Sequence, residues 1–319
     1  MTRPSILATT AAAALLALTG AAAADFPTRQ INVIVPYAPG ATDTLARTLV
    51  AEMVDDLGVT VAVESRPGAG GTVGARAVAA AAPDGYTILI AFSSVHTLGP
   101  HQNPDLDYGF DDLAPVARIA LGPNVLGASA SAPFETLEGL IEYARANPGA
   151  VSFGTAGTGG LSHLHGEAFA RAAGIELFHI PFQGVTPAVA AAVAGDVDLV
   201  IGLGSSIMPQ DAAGAMRAIA QFGDTRASIL PDLPTFPEAG VDVSLPTLIG
   251  MWAPAGTPDE VIARLGASLE QAIASDAVQD YGRSVLIEFS FADSATFAEQ
   301  LAAENEMNVG TLRALGMID

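Results

Sequence analysis

The chain has 319 residues, half of them hydrophobic and only 15% charged, with 33 Gly and 21 Pro; this allows about two domains and excludes a disordered chain or a coiled coil. Acids outnumber bases 34 to 13, a formal charge of -21, so nucleic acid and anionic lipid surfaces are repelled. Every base is Arg and Cys is absent, which removes Walker-type phosphate loops, lysine Schiff bases, thiol catalysis, disulfides and thiolate metal sites.

Arg3 is the only charged side chain before Asp25, Ile6 to Ala23 is mainly Ala and Leu, and Ala22-Ala23-Ala24 supplies small residues for signal peptidase. Residues 1–24 therefore read as a secretory signal cleaved after Ala24, and an Ala-rich run partitions too poorly into lipid to read as an anchor. The mature chain, 25–319, keeps 34 acids against 12 Arg, a charge of -22. It offers no later apolar run of about 18 residues, so it is expected to be exported and not inserted in a membrane.

From there short β-branched runs alternate with Ala-rich amphipathic stretches. Residues 30–37, 59–64 and 86–92 read as strands, and 42–57 and 72–82 as helices, a βαβαβ rhythm that implies a parallel sheet. A loop at 96–112 and a strand near 116–119 follow. The pattern then restarts, with strands at 125–130, 151–154, 177–180, 197–202 and 218–221, and helices at 137–146, 161–173 and 187–194. Residues 225–250, with four Pro and little periodicity, read as a surface segment returning to the first half. Helices at 258–274 and 295–315 flank a strand near 285–291, and Thr257-Pro258-Asp259-Glu260 reads as a capping box. The spacing thus predicts two α/β lobes, each a doubly wound, mostly parallel sheet: 25–124 with 250–319, and 125–249. Ligands of such sheets bind at the carboxyl ends of the strands, here in a cleft between the lobes.

Three turns after strands carry the chemistry. In the first, Tyr37 to Asp43, Gly40 admits close approach and the amides of Ala41, Thr42 and Asp43 form an anion cradle at a helix N-terminus, or else Thr42 or Asp43 is only an N-cap. The second, Phe153 to His163, has Gly154, Gly157, Gly159 and Gly160 with Thr155 and Thr158, and exposes backbone amides and hydroxyls. It fails as a dinucleotide fingerprint because Ser162 stands where the third Gly belongs. In the third, Phe182, Gln183 and Gly184 either line the cleft or, for Phe182, pack in a turn. His163 and His165 point about 200° apart on a helix and cannot share a metal. No G-x-S-x-G elbow is present, and Asp198 is either a ligand contact or a solvated strand start.

At these segments the chain resembles the Bug family, the solute-binding proteins of tripartite tricarboxylate transporters. The resemblance rests on Ile34-Val35-Pro36-Tyr37-Ala38-Pro39-Gly40 with Asp43, on Glu64 to Gly71, on Pro83-Asp84-Gly85-Tyr86-Thr87, on Phe153-Gly154 through His163 with Gly166-Glu167, on Ile180 to Gly184 with Pro187-Ala188, on Gly195 to Asp198 and on Ala253 to Pro258. It implies a type II-like, two-lobed periplasmic binding protein that closes by a hinge on a small organic carboxylate, partly through bridging waters, and works with membrane transporter subunits as a monomer without cofactor, metal or catalysis. The sequence departs from the family where Ala41 replaces a Gly, Gly160 a Ser and Gln183 a frequent Lys. Water or a ligand group stands in for the lost hydroxyl and cation, or the ligand is less polar.

The expected pocket comprises Tyr37, Gly40, Ala41, Thr42, Asp43, Thr155, Gly157, Thr158, Gly159, Gly160 and His163, with Ser93, Ser94, His96, Phe182, Gln183, Gly184, Asp198 and Ser205 completing it. Trp252, beside the return crossing, is expected to report closure by fluorescence. The rival readings are a ligand-presenting partner of a sensor kinase, which would share the site, and a secreted enzyme using His163 as a base.

Overall fold

The computed structural model describes residues 26–103, 105–245 and 247–318, so the expected signal segment lies outside the described residues. The first half opens with β1 (Ile31–Val35), α1 (Ala41–Leu57), β2 (Val61–Ser65), α2 (Thr72–Ala79) and β3 (Thr87–Phe92). Two short helices, α3 (Ser94–Thr97) and α4 (Gly99–Gln102), occupy the start of the expected loop, and β4 (Leu113–Gly122) ends this half. The second half runs β5 (Asn124–Ser129), α5 (Leu137–Ala146), β6 (Val151–Thr155), α6 (Leu161–Ala173), β7 (Leu177–Pro181), α7 (Val185–Ala194), β8 (Leu199–Leu203), α8 (Gly204–Ala212) and β9 (Met216–Gln221). The chain then returns through β10 (Thr247–Pro254), α9 (Asp259–Ile273), α10 (Asp276–Val285), β11 (Glu288–Ala292) and α11 (Ser294–Ala314).

One sheet has the order β11-β4-β10-β3-β1-β2 and the other β7-β6-β8-β5-β9. Both are mixed, where the rhythm alone implied mostly parallel sheets. Only β2-β1-β3 and β7-β6-β8 are parallel; β10 and β5 pair antiparallel to both of their neighbours. The reason is the crossing. β4 ends at Gly122 and β5 begins at Asn124, so β5 enters the second sheet at the end where its parallel strands leave it. β9 and β10 repeat this in the opposite sense, and the Asn124 amide donates to the Thr247 hydroxyl where the crossings meet.

Helices cover both faces of both sheets, which is why the inner strands are apolar throughout rather than alternating. Leu45, Leu49 and Met53 of α1 and Leu265 and Leu269 of α9 pack on one face of the first sheet, against Ile31, Val33 and Ile119. Trp252 and Phe297 pack on the other face with Ile34 and Leu89. In the second sheet Phe153, Phe169 and Phe222 lie on one side and Val125, Val189 and Ile207 on the other. The 21-residue α11 joins the halves: Phe297 and Leu301 sit in the first core, Met307 packs on the second, and Leu312 meets Leu98 and Leu164.

Several local expectations change. Residues 247–250, placed in the return loop, are strand, and Trp252 is fully buried at the centre of the first sheet between His96 and Phe297. Thr257 does not cap α9; its hydroxyl donates to the Pro254 carbonyl at 2.8 Å, and Pro258 holds the N-cap position.

Candidate functional site

Among the described helices, α5, α10 and α11 have side-chain caps and the others do not. Thr136, Ser275 and Asp293 cap α5, α10 and α11 by accepting from the amides of Gly139, Val278 and Thr296, and α9 carries Asp259 and Glu260 in its first turn. By contrast α1, α6, α7 and α8, which start at the carboxyl ends of β1, β6, β7 and β8, have Gly40, Gly160, Gly184 and Leu203 at the N-cap and no side-chain cap bond. Their first-turn amides have no partner inside the helix and carry roughly half a positive charge. That is an arrangement for receiving an anion.

The first loop is the most open. Gly40 is extended, and the amides of Ala41 to Asp43 lead α1. Asp43 would repel an anion, but Arg47 donates to it at 2.7 and 3.2 Å and the Ser65 hydroxyl at 2.7 Å. These bonds hold its carboxyl below the usual range and compensate its charge. Tyr37 accepts from the Phe92 amide at 3.3 Å and pairs with Ser94. Burial pushes its phenol up, so it stays neutral.

The second loop is braced from within. His163 Nδ1 accepts the Gly159 amide at 3.0 Å, Ser162 Oγ the Ala156 amide at 3.1 Å, and Thr155 Oγ1 the Gly157 amide at 3.4 Å. Those three donors therefore hold the loop's shape, and the cradle is narrower here than the Gly count suggests. His163 stacks on His179 with centroids 3.9 Å apart, and His179 Nε2 lies 2.6 Å from the Thr155 hydroxyl. Burial, and then the neighbouring His163, lower His179 to about 4. From the first half, the Gln102 amide donates to the Gly159 carbonyl. The β6–α6 loop thus touches α4 of the first half.

Phe182 is half-buried in the second core, while Thr158, Gln183 and Ser205 are exposed polar side chains on the β6–α6 loop, the β7–α7 turn and the start of α8. Three expected residues are not brought to these loops. Ser93 is fully buried and donates to Glu304 of α11 at 2.8 Å. His96 stacks on Phe110, bonds its carbonyl at 2.7 Å and is lowered by burial to about 4, a neutral core histidine. Asp198 precedes β8, at the end of that strand opposite to the loops, where it accepts the Ser152 amide and hydroxyl. His165, as its spacing requires, points away from His163 and stacks on Phe222.

Sequence reasoning passed over His179 and Gln102. The β6–β7 register sets His179 opposite Phe153, so strand alternation could have found it. Gln102 gave no local signal, because its contact is 57 residues away.

Two mixed sheets, a doubled crossing and uncapped helix N-termini at facing strand ends define a periplasmic binding protein of the two-lobed class. The model of the tripartite tricarboxylate transporter family receptor, TctC, matches residues 45–316, and the chain belongs to that family. A UPF0065 protein of Bordetella pertussis is 36% identical over 280 residues, 87% of each chain, and BugT of the same species 35% over 258 residues, 79% of each. Among solved structures, periplasmic binding protein BugD superposes with a TM-score of 0.74 at 32% identity, covering 92% of this chain and 99% of its own. Rpa4515 of R. palustris with adipate gives 0.78 at 29%, with 92% and 99% covered, and MatC from Rhodopseudomonas palustris with bound malate gives 0.73 at 29%, with 90% and 100% covered.

Proposed function

We propose that this protein captures a small organic carboxylate between the β1–α1 loop and the β6–α6 loop, closes on it by a hinge at the two crossings, and delivers it to a tripartite tricarboxylate-type membrane transporter. The observation that carries the reading is the row of helix N-termini at these strand ends. No side chain caps α1, α6, α7 or α8 there, so their first-turn amides are available to a ligand. Two structures of similar fold contain dicarboxylates, adipate and malate. The lobes follow the two sheets: β1 to β4 with β10 to α11, and β5 to β9. One carboxyl group meets the amides of Ala41 to Asp43 and the exposed face of the second loop, and Thr158, Gln183 and Ser205 select the other end of the ligand. Tyr37 and Ser94 wall the first loop.

Mass spectrometry of the small molecule released on denaturing the purified chain, followed by thermal shift with that compound, adipate and malate, tests this. A ligand at 100 times its Kd stabilises by about 2.7 kcal/mol. One carboxylate returned intact and stabilising is the expected result. A compound consumed on incubation would replace the reading with catalysis, and no ligand and no shift would remove it.

A further inference from the structure

The peptide joining Gly159 to Gly160 has no side chain on either side to fix its plane. The other braces of the β6–α6 loop come from the second half: Ser162, Thr155 and His163 accept the amides of Ala156, Gly157 and Gly159. The Gly159 carbonyl is held from the first half instead, by the side-chain amide of Gln102 at the end of α4. A trans peptide is planar, with its C=O and N–H opposed. Gln102 therefore also sets the direction of the Gly160 N–H, the amide at the N-cap of α6, whose own bond to the Gly157 carbonyl is a long 3.4 Å.

The opposite orientation is open to this peptide. Half a turn of its plane changes only ψ of Gly159 and φ of Gly160. Gly159 already lies in the left-handed region at φ 77°, and Gly160, at φ -68°, can cross to positive φ because it lacks a Cβ. A larger residue at 160 would meet the steric barrier that keeps side chains at negative φ. The flipped peptide turns a carbonyl oxygen to where the N–H stood. At the start of a helix that attracts anions, an acceptor then replaces a donor.

Gln102 is itself seated by the first half. His101 Nε2 meets Asn305 Oδ1 of α11 at 2.7 Å, and Leu98 packs with Leu164, Leu312 and Ile318. A Cβ on Gly159 would stand 2.7 Å from Gln102 Nε2 and 2.9 Å from Met317 Cε, so α4 and the C-terminal residues close on the loop at its glycine.

We infer that Gln102 is a positioning residue for the carboxylate loop: from the first half it selects the orientation of the Gly159–Gly160 peptide that presents an N–H, so the second cradle is complete only while α4 touches it. A carboxylate that prefers this orientation favours, by linkage, the contact between the halves. The effect on binding rests on the carboxylate reading of these loops; the effect on the peptide does not.

The test uses the mature protein, residues 25–319, labelled with 15N, as wild type, Gln102→Ala, Gly160→Ala and the double variant. Relaxation dispersion without added ligand reads the peptide, and calorimetry with malate and adipate reads binding. Gln102 is exposed, so the melting temperatures of wild type and Gln102→Ala should agree. Gln102→Ala should bring microsecond-to-millisecond exchange to the amides of residues 159–161 and weaken the dicarboxylate that the wild type binds by about tenfold. Gly160→Ala has room, since a Cβ there meets the Gly157 carbonyl at 3.5 Å, and it bars the flip. In the double variant it should silence the exchange and return affinity to within about threefold of Gly160→Ala alone, a rescue that a merely structural Gln102 would not show. Quiet amides in Gln102→Ala, unchanged affinity for a dicarboxylate that the wild type binds, or a double variant no better than Gln102→Ala would overturn the inference. A wild type that binds neither compound counts against the carboxylate reading, and the exchange at 159–161 and its loss in the double variant still decide the role of Gln102.

Discussion

Gly40→Asp distinguishes a loop that binds an anion from one that merely turns. Gly40 has φ 172°, extended backbone open to any residue, and a Cβ there would meet only the Ala38 carbonyl, at 3.7 Å. An aspartate therefore fits, and its carboxylate can cap the amides of Thr42 or Asp43 at the start of α1. Relative to Gly, such a cap contributes a few tenths of a kcal/mol, so the melting temperature should hold or rise slightly. Binding should move the other way. The new carboxylate takes the donors offered to the ligand, and a ligand carboxylate about 4 Å away would be opposed by about 4 kcal/mol at an effective dielectric of 20. Half of that, added to about 1 kcal/mol for a displaced hydrogen bond, weakens binding more than about a hundredfold. Gly40→Asn caps without charge and should cost only the displaced hydrogen bond, about 1 kcal/mol or roughly fivefold in affinity. Titration calorimetry with the carboxylate recovered from the wild-type chain, alongside differential scanning calorimetry, reads both signs. A folded Gly40→Asp protein that binds like the wild type would refute the cradle.

The remaining predictions concern the supports of that loop and the charge around it. His163→Ala leaves the buried Gly159 amide without its acceptor and His179 without its stack, and should cost about 2–4 kcal/mol in urea unfolding and about tenfold in carboxylate affinity; unchanged affinity would show that the loop keeps its shape unaided. Gly74→Ala places a methyl 2.9 Å from Pro36 Cα and 3.0 Å from the Arg66 carbonyl, backbone atoms beside the first loop, and overpacking of this kind costs about 1–3 kcal/mol. No loss in thermal stability would mean that α2 shifts freely. Glu304, at about 7 in the fold against 4.5, binds its proton more tightly folded than unfolded, so its stabilising effect is complete below pH 4.5 and is lost as pH rises through 7. At about 1.4 kcal/mol per pH unit this amounts to roughly 3 kcal/mol, and urea melts of Glu304→Gln should lack that decline; parallel profiles would contradict it. Finally, a formal charge of -21 repels carboxylates over a Debye length, so the association rate should rise with salt between about 10 and 150 mM; a rate that falls would point to steering by side-chain cations.

Where the sequence had a clear helical period, it was legible to the residue, although the one capping box it offered, at Thr257, is not a cap. α5 and α6 fall at Leu137–Ala146 and Leu161–Ala173 as their apolar spacing requires, with Thr136 as a true cap. β10 was illegible because its eight residues, all buried, follow a Pro-rich stretch and show no alternation. α8 was hidden by Gly204-Ser205-Ser206 and an internal Pro209, and α10 by its polar face. Sheet direction was lost for a different reason: βαβ rhythm reports neighbours in sequence, whereas β10 and β5 take their direction from a crossing. The glycine loops at 40 and 154–160 stood out because nothing there could pack. Ser93 and His96 misled because they follow a strand, yet face α11 and Phe110 instead.

The arginines explain how so acidic a chain can hold an anion. Arg29, Arg47, Arg66, Arg76, Arg226, Arg264 and Arg283 pair with carboxylates of the protein itself, while Arg118, Arg145 and Arg217 donate to uncharged oxygens. Most side-chain cations among the described residues are thus spent within the protein, and on the proposed reading the attraction at the loops comes from fixed peptide dipoles, which act only within a turn of the helix end. Such dipoles recognise a carboxyl group but not the rest of the molecule bearing it. On the proposed reading, discrimination falls to the polar set at Thr158, Gln183 and Ser205, which is neutral, and a ligand with one carboxylate and an uncharged far end would lose less here than opposite a lysine at position 183.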